Sequence, residues 1–202
     1  MLQSPHPMSA SVPMDLPIEL PEQRRITVAE FQRMVDTGVI DEDEPVELIE
    51  GVLVAMPPIG VDHSWSVEEL IHFISRALPD GYRVRPSLPV VLGKYSQPEP
   101  DLAVVRAQDR SQPKRHPETA LLLIEVSASS LRYDRNVKGP VYARAGIPEY
   151  WIIDVDGRAV EVRKDPDPVS ATYRSVERLI ETEVLRAAFA PLPPIAVKDV
   201  LP

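Results

Sequence analysis

Between Thr119 and Asp154 the chain reads TALLLIEVSASSLRYDRNVKGPVYARAGIPEYWIID, and this stretch constrains the fold more than any other. The apolar run Leu121 to Ile124 has the length and composition of a buried strand, yet Glu125 lies directly in its path. An ionised carboxylate buried without a partner costs several kcal/mol, so such a strand either surfaces at Glu125 or delivers it to a cation. Cations are close in sequence: Arg132, Arg135 and Lys138 follow within a few residues, with Asp134 among them. A second strand-like run, Tyr150 to Val155, comes after a short Ala-Gly-Ile-Pro turn.

With 202 residues, the chain can fill one core and is too short for two independent ones. Cysteine is absent, which excludes disulfides, thiolate zinc sites and cysteine nucleophiles and is compatible with a reducing compartment. No apolar run approaches the roughly 20 residues that span a bilayer, and the N-terminus lacks the pattern of a secretion signal. A cytoplasmic protein is expected. The net charge of −9 speaks against a nucleic-acid partner, because phosphate binding depends on Lys and Arg. That charge is uneven, however. Residues 1–100 carry 16 acids and 7 bases, residues 101–202 carry 15 of each, and within 102–148 there are 8 bases against 4 acids. The strip around Glu125 is thus locally positive; it reads either as a solvated face or as a site for an anion.

Residues 1–25, with Pro5, Pro7, Pro13, Pro17 and Pro21 and no periodic apolar pattern, read as a flexible leader to a single domain over 26–202. Thr27 and Glu30 form a capping box ahead of a short helix closed by Gly38. VELIEGVLVAM, from Val46 to Met56, has two β-rich arms about Glu50-Gly51 and predicts a hairpin. A longer helix follows, with Val67, Leu70, Ile71, Ile74 and Leu78 on one face and Asp62 or Ser64 as its cap. His63 lies one turn before Val67 on that inward face. It can look into a site between helix and sheet, or simply bond a nearby loop. Strands are expected at Tyr82–Arg85, Leu88–Leu92 and Leu102–Val105, with a basic loop over 106–118. Asp134 is a plausible cap for a helix anchored by Val137, Val141, Tyr142 and Ala145, with Pro140 marking its regular start. Asp156-Gly157 turns into a strand at Ala159–Val162, and a proline-broken loop spans Asp165 to Pro168.

Asp101 starts one strand and Glu125 ends near the next, so antiparallel pairing would bring both to one edge of the sheet. Two close carboxylates raise each other's pKa unless a cation sits between them. Magnesium, which takes one or two carboxylates and completes its shell with water and phosphate oxygens, suits such a pair. Lys138 would then add a point positive charge for a phosphoryl transition state. Position alone also allows Asp101 to cap a turn and Glu125 to pair with Arg132 or Lys138. Other chemistries lack their motifs: there is no G-x-S-x-G, P-loop or H-E-x-x-H, and the four histidines are scattered. Trp151 and Tyr150 suit a core better than a base-stacking platform.

The order VELIEGVLVAMPP, His63 at a helix head, PEPDLAVV, ALLLIEVSASS, YDRNVK and YARAGIPEYWIID resembles the large bacterial family of Uma-type restriction endonucleases, over roughly residues 26–200. Its most specific part is Ile124 to Asp154. That family belongs to the PD-(D/E)XK nuclease superfamily, so the resemblance implies an α/β restriction-endonuclease-like fold, a mixed sheet with helices on both sides. It also implies a magnesium-dependent endonuclease, with manganese as a substitute, acting on DNA. Pro100-Asp101 matches the superfamily's metal-binding PD pair and Glu125 its second acid. The lysine usual two residues further on is Ser127 here; the Uma-type pattern places it at Lys138 instead. Glu47 and His63 match further polar positions of the family, as candidates to orient water or metal.

A homodimer is expected, since cutting both strands of a duplex needs two sites. The competing expectation is a non-catalytic binding or assembly protein on the same fold, favoured by the net acidity, the displaced lysine and Gly139-Pro140. A nuclease for RNA or branched DNA would share the site.

Overall fold

The computed structural model describes residues 24–107, 115–189 and 192–202. The leader expected over 1–25 lies almost wholly outside these residues, as does most of the basic loop. Of the two leader residues that are described, Arg25 donates to the backbone and carboxylate of Glu50, and its Cβ packs against Gly51.

Helix α1 (Val28–Asp36) is closed at its N-terminus by the reciprocal Thr27–Glu30 capping box. The hairpin β1 (Val46–Ile49) and β2 (Val52–Ala55) turns at Glu50 and Gly51, both at positive φ, 51° and 84°. That geometry is the primed turn whose twist matches two paired strands. Helix α2 (Val61–Ala77) starts one residue before Asp62, so neither Asp62 nor Ser64 caps it; Gly60 holds that place without a side-chain bond.

A six-stranded mixed sheet follows, in sequence order: β3 (Tyr82–Pro86), β4 (Leu102–Arg106), β5 (Leu122–Ser127), β6 (Glu149–Asp154), β7 (Ala159–Asp167) and β8 (Thr172–Ile180). All neighbours pair antiparallel except β5 and β6, which are parallel. That single parallel step requires a crossover, supplied by α3 (Leu131–Tyr133), a π turn (Asp134–Lys138) and α4 (Gly139–Arg144). Short β9 (Val184–Leu185) and β10 (Ile195–Ala196) pair beside the C-terminal 3₁₀ turn Val197–Val200.

Strand β5 is buried along its whole length because both of its faces are covered. Leu122, Ile124 and Val126 pack with Leu70 and Ile74 of α2, whereas Leu123 packs with Val141 and Tyr142 of α4. By alternation, Glu125 and Ser127 share the α4 face with Leu123.

Three local expectations give way. Leu88–Leu92 forms no strand, since Pro89 removes a donor and only Leu92 makes an isolated bridge, to Ser96. The proline-containing Asp165–Pro168 segment is not a loop throughout, because β7 runs on to Asp167 with Pro166 opposite Tyr173. Asp134 does not cap a helix but sits inside a continuous helical path, its side chain buried.

Candidate active site

The antiparallel register of β4 and β5 pairs Leu102 with Ile124, so the next step along both strands sets Asp101 beside Glu125. The two acids reach the same sheet edge because one precedes its strand and the other approaches its strand's end. Asp101 is tied on both oxygens: Oδ2 accepts the Val126 amide at 2.6 Å, and Oδ1 lies 3.0 Å from His63 Nε2. His63 stands in the first turn of α2, the helix packed on the opposite face from α4, and so reaches the site from the other side.

Lys138 arrives from the crossover. The π turn closes when the Gly139 amide donates to the Asp134 carbonyl, which widens the helix by one residue ahead of Lys138. The turn is pinned to the end of β5 because the Asp134 carboxylate accepts from Ser127 and Ser130 hydroxyls, both at 2.6 Å. From there the Lys138 ammonium, only 6% exposed, donates to Glu125 Oε1 at 3.0 Å and lies 3.4 Å from Glu47 Oε2. The Tyr142 hydroxyl donates to the same Glu125 oxygen at 2.5 Å. Glu47, from β1, also accepts from the Tyr133 hydroxyl and the Glu99 amide, each at 3.2 Å.

The five residues singled out in the sequence fall into two bonded groups, Glu47–Lys138–Glu125 and His63–Asp101, which adjoin where Asp101 accepts the amide of Val126, the residue after Glu125. Of the two ion pairs open to Glu125, that with Lys138 forms and that with Arg132 does not. Tyr133 and the Glu99 amide on Glu47, and Tyr142 on Glu125, join the first group, with Asp134 beside it through Ser127 and Ser130; none of the four was singled out as a site residue in the sequence. Tyr142 was legible, since it stands four residues after Lys138 and so on the same helix face. Tyr133, five residues before it, shares that face only because of the π turn, which no local signal announces.

Charge is out of balance here. Burial first, then the carboxylates of Asp101, Asp134 and Glu47, push Glu125 well above the usual carboxylate range, against the pull of Lys138. Burial opposes the Lys138 ammonium, but Glu125, Glu47 and Asp134 outweigh it and keep the lysine charged. The hydrogen bond to Asp101 raises His63 against the effect of burial. Glu99, half-buried with its side chain unbonded among the described residues, is raised by burial and then by Glu47. One ammonium thus faces an excess of acids, a setting that a further cation relieves.

The donor set suits a hard divalent ion. No group of three or more His, Cys, Asp or Glu side chains placed to hold a metal ion is found among the described residues, which leaves a pair of carboxylates as the most this site could offer one. A pair of carboxylates is what magnesium usually takes from a protein.

The basic strip is less available than its composition suggests. Arg135 is engaged by Glu161 and Asp154, and Arg144 by Glu50. Arg132 stays exposed without a bonded partner among the described residues, on a cleft of about 380 Å³ that Ser129 and Asn136 also line. Tyr150 and Trp151 are fully buried in the sheet and so are core residues. No helix among the described residues is long and apolar enough to cross a membrane.

The chain was compared with protein families, curated sequences and solved structures. The family Uma2, described as "Putative restriction endonuclease", matches residues 28–194. Among solved structures, a "putative nuclease belonging to DUF820" from Anabaena variabilis superposes with a TM-score of 0.69 at 21% identity, covering 87% of this chain and 97% of its own. It shares the restriction-endonuclease-like fold, a mixed sheet between helices. No curated protein sequence matches.

Proposed function

This chain belongs to the Uma2 family, and from that premise we propose that it is a divalent-metal-dependent endonuclease hydrolysing phosphodiester bonds of DNA. The observation that carries the reading is the buried Lys138 ammonium bonded to Glu125 within a ring of carboxylates that it cannot neutralise alone.

Asp101 and Glu125 would hold magnesium, or manganese in its place. Bound there, the ion would supply a water of lowered pKa and screen the phosphate. Lys138 places a fixed positive charge beside the reacting phosphate and stabilises the charge that develops there. Glu47 holds that ammonium from its far side, and Tyr133 and the Glu99 amide fix Glu47 in turn. His63 bonds Asp101 Oδ1 while the Val126 amide bonds Oδ2, which together fix the orientation of the carboxylate. Arg132, Ser129 and Asn136 offer donors to a neighbouring phosphate of the strand.

Residues 26–202 would act as one unit, in the cytoplasm that a cysteine-free chain suits. A two-fold dimer would give duplex DNA two such centres. Supercoiled plasmid tests the reading. The wild-type chain nicks it with magnesium, whereas Asp101→Ala and Glu125→Gln, folded as judged by thermal unfolding, do not. Cleavage that survives both substitutions overturns the assignment. Absence of any metal response in the wild type favours the competing assembly protein, because an ion bound to the native state must stabilise it.

A further inference from the structure

Nothing in the proposed hydrolysis requires a tyrosine hydroxyl on Glu125, yet one is there. Tyr142 is fully buried, its ring set edge-on to Tyr150 at 4.9 Å between centroids, so the hydroxyl has no freedom to search for other partners. It donates to Oε1 of Glu125, the oxygen that Lys138 also uses. Two charge-assisted donors on one oxygen are a strong restraint. Oε2, by contrast, takes no hydrogen bond among the described residues. With Oε1 doubly bonded, Oε2 is the oxygen of Glu125 left to accept a further ligand.

We infer that Tyr142 is a positioning residue that, with Lys138, withholds Oε1 and makes Glu125 a one-oxygen ligand, thereby selecting magnesium over larger divalent ions. The inference rests on the nuclease reading. Its chemistry is that of coordination: magnesium demands a tight octahedron, whereas calcium accepts carboxylates through either one oxygen or two. Removing the hydroxyl leaves only Lys138 on Oε1 and lets the carboxylate turn both oxygens outward. Magnesium should then lose more than calcium.

The test is calorimetric titration of the full chain with magnesium and, separately, with calcium, in the wild type, Tyr142→Phe and Glu125→Gln. Phe keeps the buried ring. Tyr142→Phe should bind magnesium about tenfold more weakly, the range for losing a partner that orients a ligand, while calcium changes by less than about twofold. Equal affinities in wild type and Tyr142→Phe overturn the inference, and so does a parallel loss for both ions, which marks a purely structural role. A wild type that takes up neither ion overturns the nuclease reading and this inference together, a result distinct from either of the others. If Tyr142→Phe fails to fold, the wild type still decides. Infrared difference spectra on adding magnesium should show a carboxylate band, missing in Glu125→Gln, with the wide stretching separation of one-oxygen binding. A narrow separation contradicts the proposal.

Discussion

Among the described residues Lys138 is the one ammonium bonded to Glu125, and both groups are buried. Breaking a buried pair by removing one partner leaves an uncompensated charge, so Lys138→Met should lose nicking activity and about 3 kcal/mol of stability near neutral pH. Chemical denaturation checks the second part; a variant as stable as the wild type would mean that Glu125 is neutral in the folded chain. At this scale the sequence was informative wherever an ionisable group interrupted an apolar pattern. Glu125 stood out within Leu122–Val126, and His63 stood out on the inward face of α2. Tyr133 and Asp134 did not, because their roles depend on a helical widening that follows from packing rather than from any residue in YDRNVK. Glu99 was hidden for the opposite reason: its backbone amide, not its side chain, does the bonding to Glu47.

Among the elements, the crossover between β5 and β6 decides whether Lys138 reaches the site. Its C-terminal part is held by Gly139, where an added Cβ would lie 3.0 Å from Arg163 Nη1 and 3.3 Å from the Asp134 carbonyl. Gly139→Ala should therefore cost about 1 kcal/mol through crowding and depress activity by shifting Lys138, measurable as a lower unfolding midpoint together with a reduced kcat. The glycine that looked out of place in the sequence is thus a close approach between helix and sheet. The same crossover is tied to β7 by Glu161, which accepts from Arg135 and Arg163. Burial opposes ionisation of Glu161, but the two guanidinium groups win and hold its pKa below the ordinary value of about 4.5. A depressed carboxylate stabilises the fold above its unfolded pKa, and that contribution is lost as pH falls through the folded value. Glu161→Gln should accordingly cost about 2 kcal/mol at pH 7. The difference from wild type should fade in thermal unfolding curves taken at pH values progressively below the ordinary carboxylate value of about 4.5. The strand order itself was only partly legible. Hairpins and capping boxes are local and were readable, whereas the parallel β5–β6 pairing depends on which helix covers the sheet.

As a whole molecule the chain is acidic, at −9, and among the described residues of its basic strip Arg115, Arg135, Lys138 and Arg144 are in internal ion pairs. Binding to DNA should therefore be modest and steeply weakened by salt. With the inert Glu125→Gln chain, fluorescence anisotropy on a labelled duplex should give a salt slope that falls by about one when Arg132 is changed to Ala. An unchanged slope would remove Arg132 from the phosphate path. The account as a whole stands on Asp101 and Glu125 acting together on one ion. Crystals soaked in manganese test this most directly, through anomalous scattering. A peak bonded to one oxygen of Asp101 and one of Glu125, with the Lys138 amine beside it, is the predicted result; the two carboxylates bare of metal at saturating manganese would contradict it.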